Sequence, residues 1–406
     1  MPEVITNMIL LTIIYLAFIS LGLPDAILGA VWPNMSQDIG ASLEYAGAIS
    51  VVINAGTVIS SLLAARLIHR FGTGKVVAIS VLLTACALLG FAWANYLLVM
   101  ALLAVPLGLG AGAVDAALNN FVALHYKSSH MNYLHSFWGV GATAGPFILA
   151  SFLLHSDVWR DVYLVLASHQ FILVVALFLS LPLWKKAVQT QSANQENGSE
   201  TKMVSNRDAL KIKGMKYQLF LFWFYCSLEA GTGLWAASYL TSEKGVIASD
   251  SAFWRAMYYF GITAGRFLCG IISERIGEAR LVHGGVIMIL LGVAGLLAPI
   301  PLMFNQLSLV LIGLGCAPVY PNTLHLTPAR FGKNASQAII GLSMATAYLG
   351  TTLVQPFIGV LVGVFSFSVF PVILLMLSMG LLVMAMRLQG HKCANHPLSC
   401  QTTEAI

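Results

Sequence analysis

Charge is what this sequence has least of. Only 9% of its 406 residues are Asp, Glu, Lys or Arg, where a soluble domain carries roughly 25%. A water-soluble fold is excluded on that ground. A cleaved signal is not expected either: the first apolar stretch is too long, has Glu3 as the only charge before it, and carries Pro24 and Asp25 in its second half. Also missing are a nucleotide-binding loop, a metal-ligand cluster and a nucleophile–base pairing, so neither an enzyme nor a cofactor is expected. Cysteines are few. Cys86, Cys226, Cys269 and Cys316 sit in apolar segments. Cys393 and Cys400 lie in the tail near His391 and His396; a tail this polar reads as disordered, and no metal site is expected there.

Apolar length is what the chain has in abundance. Hydrophobic residues make up 58%. A membrane-crossing helix needs about 20 of them in succession. Twelve segments qualify, at about 8–32, 44–68, 75–94, 96–124, 133–154, 162–184, 217–241, 252–273, 281–300, 304–325, 336–362 and 366–387. They are apolar on most faces, rich in Leu and Ala and too long for strands, which predicts an all-α integral membrane protein and not a barrel. The basic residues are distributed by side. Arg160, Lys244 and Arg255 lie in one set of loops, Arg266 lies inside the eighth segment, and the remainder of the 21 Lys and Arg fall in the other set or in the tail. The positive-inside rule then puts both termini in the cytoplasm, in a plasma or inner membrane. This placement also explains the formal charge of +5, so no nucleic-acid partner is expected; lipid and a small-molecule substrate are, with a monomer as default.

The one long polar stretch, residues 185–216, reads as a linker. It suggests a six-helix bundle at 1–184, a second at 217–387 and a cytoplasmic tail at 388–406. An internal repeat supports the halving. ARLIHRFGTGK (65–75) matches GIISERIGEAR (270–280) at an offset of 205 residues, aligning Arg70 with Arg275 and Gly72 with Gly277. The same offset carries GLGAGAVDAALNN (108–120) onto GLGCAPVYPNTLH (313–325), and Asp25 to within one residue of Glu229. Parallel repeats of this kind mark transporter halves with a substrate site at their interface.

On these loops the chain resembles the major facilitator superfamily, whose loop signature is Gly, three residues, an acid, Arg, any residue, Gly and then basic residues. Gly270, Glu274, Arg275, Gly277 and Arg280 fit it. The first copy is degenerate, with Ala65 for the glycine and His69 for the acid. The resemblance implies two pseudo-symmetric bundles of six helices and alternating access. It also implies a cytoplasmic gating network of Arg70, Gly72, Gly270, Glu274, Arg275 and Gly277 that holds the halves together when the site faces outward.

Ionisable residues inside the apolar segments are Asp25, Asp115, His135, His169, Glu229, Arg266 and His325. A charge at the membrane centre costs about 2.5–3.5 kcal/mol or more, and such residues mark pathways and proton relays. Asp25, Asp115 and Glu229 are the proton-coupling candidates; no cation lies at comparable depth in the first half to give its acids a structural role. Asp115 and Asn119 share a helix face at i, i+4 beside Gly108 and Gly112, which permit close backbone approach. His135 and Trp138 share a face, as do Asp25, Gly29 and Trp32, with Pro24 and Pro33 permitting a kink. Glu229 precedes a Gly-Thr-Gly sequence that reads as a helix break. Segments 1, 4, 7 and 10 line the cavity in the superfamily. With His135 and Trp138 of segment 5 and Gln355 of segment 11 added, the expected substrate-binding set is Asp25, Trp32, Asp115, Asn119, His135, Trp138, Glu229, Trp235, Tyr320, Asn322 and Gln355. Aromatic faces stack on a sugar ring while carboxylates and amides bind its hydroxyls, and a desolvated carboxylate can exchange a proton near neutral pH. The plain alternatives are that Trp32 and Trp138 are interface anchors, that His169 is a hydrogen-bonded packing residue, and that Arg266 serves the cytoplasmic loop network. His325 either lines the exit or packs.

GAVDAALNNF (112–121) and YLHSFWGVGATAGP (133–146) further resemble the fucose–proton symporter group, with His135 where that group tends to carry an amide. The resemblance implies that Asp25 and Asp115 hold the coupling proton and sugar hydroxyls, and that Asn119 and His135 line the site. The expected function is proton-coupled uptake of a monosaccharide or related polyol, with Na⁺ as the other candidate ion. The rival is a proton-antiport exporter of amphipathic or cationic drugs. A carrier of organic anions is disfavoured by the lack of a visible midplane Arg or Lys pair, and a receptor built on a transporter scaffold would show no net flux.

Overall fold

The computed structural model describes residues 2–25, 27–41, 45–153, 159–193 and 204–389; the tail Cys and His residues lie outside them. The described residues are helical, with no strand among them. In chain order the helices are α1 (Pro2–Asp25), α2 (Ile27–Asp38), α3 (Tyr45–Phe71), α4 (Thr73–Trp93), α5 (Leu97–His125), α6 (Ser128–Leu153), α7 (Trp159–Leu179) and α8 (Leu181–Ala193). After the short α9 (Asn206–Ala209) come α10 (Met215–Lys244), α11 (Ala248–Ile276), α12 (Glu278–Leu297), α13 (Leu302–Cys316), α14 (Val319–His325), α15 (Thr327–Phe331), α16 (Lys333–Phe365) and α17 (Phe370–Gln389).

Among the described residues, 9 spans are long and apolar enough to cross a membrane. Helices α6, α10 and α11, of 26, 30 and 29 residues, complete the twelve crossings. In α10 and α11 charged residues weaken the apolar signal: α10 carries Glu229, and α11 carries Arg255 and Arg266.

Three local expectations change. The first segment is two helices, with Asp25 at the end of α1 and Ile27 opening α2. The tenth segment is also divided: α13 ends at Cys316 and α14 starts after Pro318. Proline has no N–H to continue the ladder, and the Tyr225 hydroxyl donates to the Cys316 carbonyl (3.0 Å). The break expected after Glu229 does not occur. Helix α10 runs through Gly231, Thr232 and Gly233, and the two glycines serve packing: a Cβ on Gly231 would meet Ile358 Cδ1 at 2.8 Å, and one on Gly233 would meet the Tyr259 hydroxyl.

The chain forms two compact units, Met1–His125 with Tyr133–Lys202, and Tyr126–Asn132 with Met203–Ile406. In the first, α5 packs on α3 and α4, and α4 on α7; in the second, α13 packs on α11 and α12, and α12 on α17. The offset of 205 residues holds down to single contacts. A Cβ on Gly108 would strike the Ile53 carbonyl, and one on Gly313 the Tyr258 carbonyl. Gly56 abuts the Val105 carbonyl as Gly261 abuts that of Val310, and Gly110 abuts Ser80 and Thr84 as Gly315 abuts Gly285 and Ile289. Small residues that bring helix backbones together are the means of association where lipid offers no hydrophobic drive. The first unit's core gathers Trp32, Phe91, Met100, Trp159 and Tyr163.

Candidate functional site

In the first unit the site is built on α5 and α6. Gly108 and Gly112 let α5 lie against α3, where Thr57 Oγ1 donates to the Gly108 carbonyl (3.2 Å) and Ser61 Oγ to that of Gly112 (3.4 Å). Gly22 and Gly141 do the same for α1 and α6: a Cβ on Gly22 would meet the backbone of Trp138, and one on Gly141 that of Ile19. Three buried polar side chains are thereby brought together. Asn119 Nδ2 donates to Asp115 Oδ1 (2.8 Å) and to the Asp115 carbonyl (2.9 Å). With the amide nitrogen so used, its oxygen accepts from His135 Nε2 at 2.9 Å, which sets the proton on that ring nitrogen. Phe18 of α1 lies edge-on to His135, centroids 5.4 Å apart. Asp115 and His135 are each 6% exposed and Asn119 is 0% exposed. The carboxylate is thus oriented by an amide that is itself oriented by an imidazole.

The other first-unit candidates are placed differently. Asp25 closes α1, and its side chain lies outside the described residues. Trp32 is buried in the apolar core, its indole N–H without a hydrogen-bond partner among the described residues. Trp138 is half-buried on α6. His169, expected to be hydrogen-bonded, keeps Nε2 buried without a partner. Sequence reasoning missed Gln170, which receives the Thr84 hydroxyl (2.7 Å) and donates to the Ser20 carbonyl (3.1 Å), tying α4, α7 and α1.

In the second unit Glu229 is paired. Arg266 Nη2 lies 3.1 Å from Glu229 Oε1, both largely buried. Tyr258 donates its hydroxyl to the Glu229 carbonyl (2.9 Å). The plain alternative for Arg266 was service to the cytoplasmic loops; it meets the acid of α10 instead. Tyr320 packs on Phe222 and Tyr225, centroids 5.0 and 6.1 Å away. Trp235 donates to the Gln355 carbonyl (3.2 Å) and lies on Gly359, whose missing Cβ leaves room for the ring. Asn322 is 0% exposed and exchanges amide bonds with Asn132 (2.9 and 3.4 Å), while donating to the Pro318 carbonyl (2.9 Å). These bonds occupy its amide in structure.

Of the loop candidates, Gly72 and Gly277 share an unusual backbone, φ +82° and +88°, each ending one helix and opening the next. Only glycine adopts this readily. Gly332 repeats it at φ +89°; the tripeptide Arg-Phe-Gly at 70–72 and again at 330–332 was the overlooked signal. Arg70 is exposed and stacks on Phe71 at 5.3 Å; Arg275 is exposed and Gly270 buried. Glu274 binds Lys127 (2.9 Å) and Ser129 (2.9 Å), and these bonds hold its carboxyl below the ordinary range. Ser128 adds a bond to Ser273 (3.1 Å). His325 lies 2.9 Å from both Glu278 Oε1 and the Tyr126 carbonyl; with Glu278 ionised both partners are acceptors, so the ring makes both bonds only as an imidazolium. Burial lowers the pKa of the neighbouring His130.

Residues 14–246 match the family model of the Major Facilitator Superfamily. The glucose/mannose transporter of Bacillus subtilis (strain 168) is 26% identical over 364 residues, 85% of this chain and 86% of that protein. Bypass of stop codon protein 6 of Saccharomyces cerevisiae is 25% identical over 64% of this chain, and the match spans only 56% of the yeast protein. Among solved structures, that of the E. coli fucose:proton symporter superposes with a TM-score of 0.75 at 15% identity, covering 96% of this chain and 99% of its own; at that identity the likeness is one of fold.

Proposed function

The chain belongs to the major facilitator superfamily of membrane transporters, and we propose that it takes up a monosaccharide or related polyol together with a proton, by alternating access. Family and fold are those of transporters and not of enzymes. The observation that carries the reading is the Asp115–Asn119–His135 chain: a buried carboxylate held by the Asn119 amide, itself held by His135, in an apolar helix where an intramembrane acid marks a substrate or proton pathway. The similarity to a glucose/mannose transporter supports the substrate class. Glu229 fits the coupling role less well. Protonating it would leave the Arg266 guanidinium buried without its counter-charge. Asp115 is therefore the coupling acid we assign. Coupling requires that protonation change the relative affinity of the two access states for substrate. The bias of basic residues toward one set of loops supports cytoplasmic termini, in a plasma or inner membrane.

Arg266 also favours a second reading. Its guanidinium is largely buried in the second unit, and a buried cation is what a carboxylate-bearing substrate needs. The test uses purified protein in liposomes loaded with a pH-sensitive dye, given hexoses, deoxyhexoses, polyols, sugar acids and organic cations in turn, with and without Na⁺. Internal acidification on adding one neutral sugar supports the first reading. Response to sugar acids alone selects the second. Proton efflux on adding a cation would overturn both in favour of a drug exporter.

A further inference from the structure

In the first unit, away from the Asp115 chain, a cavity of about 440 Å³ opens where α3, α4, α5 and α8 meet. Its walls are Phe71, Phe121, Pro182 and Trp184, and its rim carries Lys75 and Lys185. The local sequence accounts for the shape. Gly72, with its positive φ, turns the chain sharply from α3 into α4. Trp184 is buried against Gly74, whose added Cβ would meet the indole at 2.7 Å. The ring is further held by its bond to Ser180 Oγ (3.1 Å) and by Phe121 at 4.8 Å. Helix α8 thus keeps Trp184 inside while Lys185 and Lys186 stay exposed.

The depth of this cavity constrains what fills it. Three of its elements are ends of membrane-crossing helices and the fourth, α8, directly follows the crossing helix α7, on the face where the basic residues cluster, so the apolar walls lie at the level of lipid chains and the two lysines at the level of headgroups. Phe71, 46% exposed, leaves an aromatic surface open at that boundary. A free anion would satisfy the lysines and leave the apolar walls bare; a neutral lipid would do the reverse. We propose that this cavity is a site for one anionic phospholipid, an acyl chain within it and the phosphate held by Lys75 and Lys185. Basic pockets between helices on the cytoplasmic side are of the kind that select anionic headgroups.

The test is native mass spectrometry of the full-length protein in detergent, titrated with phosphatidylglycerol or phosphatidylcholine of identical chains. Two lysines near a headgroup correspond to a preference on the order of 10- to 30-fold for the anionic lipid. The double variant Lys75→Gln/Lys185→Gln loses that preference, and Lys186→Gln, which removes the same charge one residue outside the cavity, keeps it. Phosphatidylglycerol with brominated chains quenches part of the tryptophan fluorescence, and Trp184→Phe removes that part. Equal retention of the two lipids, an unchanged preference in the double variant, or an equal loss in Lys186→Gln overturns the proposal. Displacement of the lipid by millimolar inorganic phosphate makes the lysines an anion site and overturns it as well. Absence of quenching at Trp184 gives the cavity to another occupant.

Discussion

Arg266 of α11 reaches Glu229 of α10 across 3.1 Å, with the guanidinium 5% and the carboxylate 20% exposed. Each charge is tolerable inside a membrane helix because the other is there. Removing one partner strands the other, which costs about 3–5 kcal/mol, whereas removing both is far cheaper. Arg266→Met and Glu229→Gln should each lower the thermal midpoint in detergent strongly, and the double variant should recover most of the loss. Additive losses would show that the two do not stabilise one another.

The Asn119 amide bridges the side chains of Asp115 and His135. Asn119→Ala removes an acceptor from His135 Nε2 and a donor from Asp115, all in buried surroundings. A loss of about 1–3 kcal/mol is expected for each buried group left unsatisfied. His135→Gln can still donate to Asn119 Oδ1 and should keep more stability and transport than His135→Ala. Equal effects of the two His135 variants would remove the hydrogen bond from the account.

The glycine contacts at Gly108 and Gly313 occupy equivalent places in the repeat, each against a carbonyl of the neighbouring helix. Alanine at either position should cost a similar amount, about 1–3 kcal/mol from overpacking. Gly284 of α12 has open space around its Cβ position, so Gly284→Ala should be neutral or slightly stabilising through its higher helix propensity. Thermal midpoints of the three variants check this, and a harmless Gly313→Ala would break the equivalence.

Glu274 lies beyond the apolar part of α11, with Lys127 and Ser129 holding its carboxyl below the usual glutamate value. A folded-state pKa below the unfolded one gives stability that is complete above that value and is lost as pH falls through the folded pKa. The difference in thermal midpoint between the native chain and Glu274→Gln should be constant above about pH 5 and shrink at lower pH. A difference that grew on acidification would have the wrong sign.

Much of the architecture was legible because membrane crossing imposes length and apolarity directly on the sequence. The repeat was legible as well, and Gly108 with Gly313 shows why: a glycine forced by backbone contact leaves a mark at a fixed offset. The local breaks were harder. Gly-Thr-Gly after Glu229 looks like a break by propensity, but tertiary packing on Ile358 and Tyr259 uses those glycines for close approach. Asp115, Asn119 and His135 could be named because an acid and amides in an apolar run are conspicuous, and i, i+4 spacing joins the first two. That Arg266 meets Glu229, that Asn322 meets Asn132 and that Glu274 meets Lys127 depends on contacts over 37, 190 and 147 residues, for which local pattern carries no signal. Trp32 shows a related limit: an aromatic near a helix end is compatible with interface, site or core, and packing puts this one in the core of the first unit.

The coupling role of Asp115 is tested most directly by Asp115→Asn in liposomes. Asparagine keeps the size and an acceptor for Asn119 but cannot carry the proton. The account predicts a folded protein that no longer accumulates substrate against its gradient and no longer acidifies the lumen on substrate addition, while exchange of substrate down its own gradient persists. Accumulation by Asp115→Asn at the native level would contradict it.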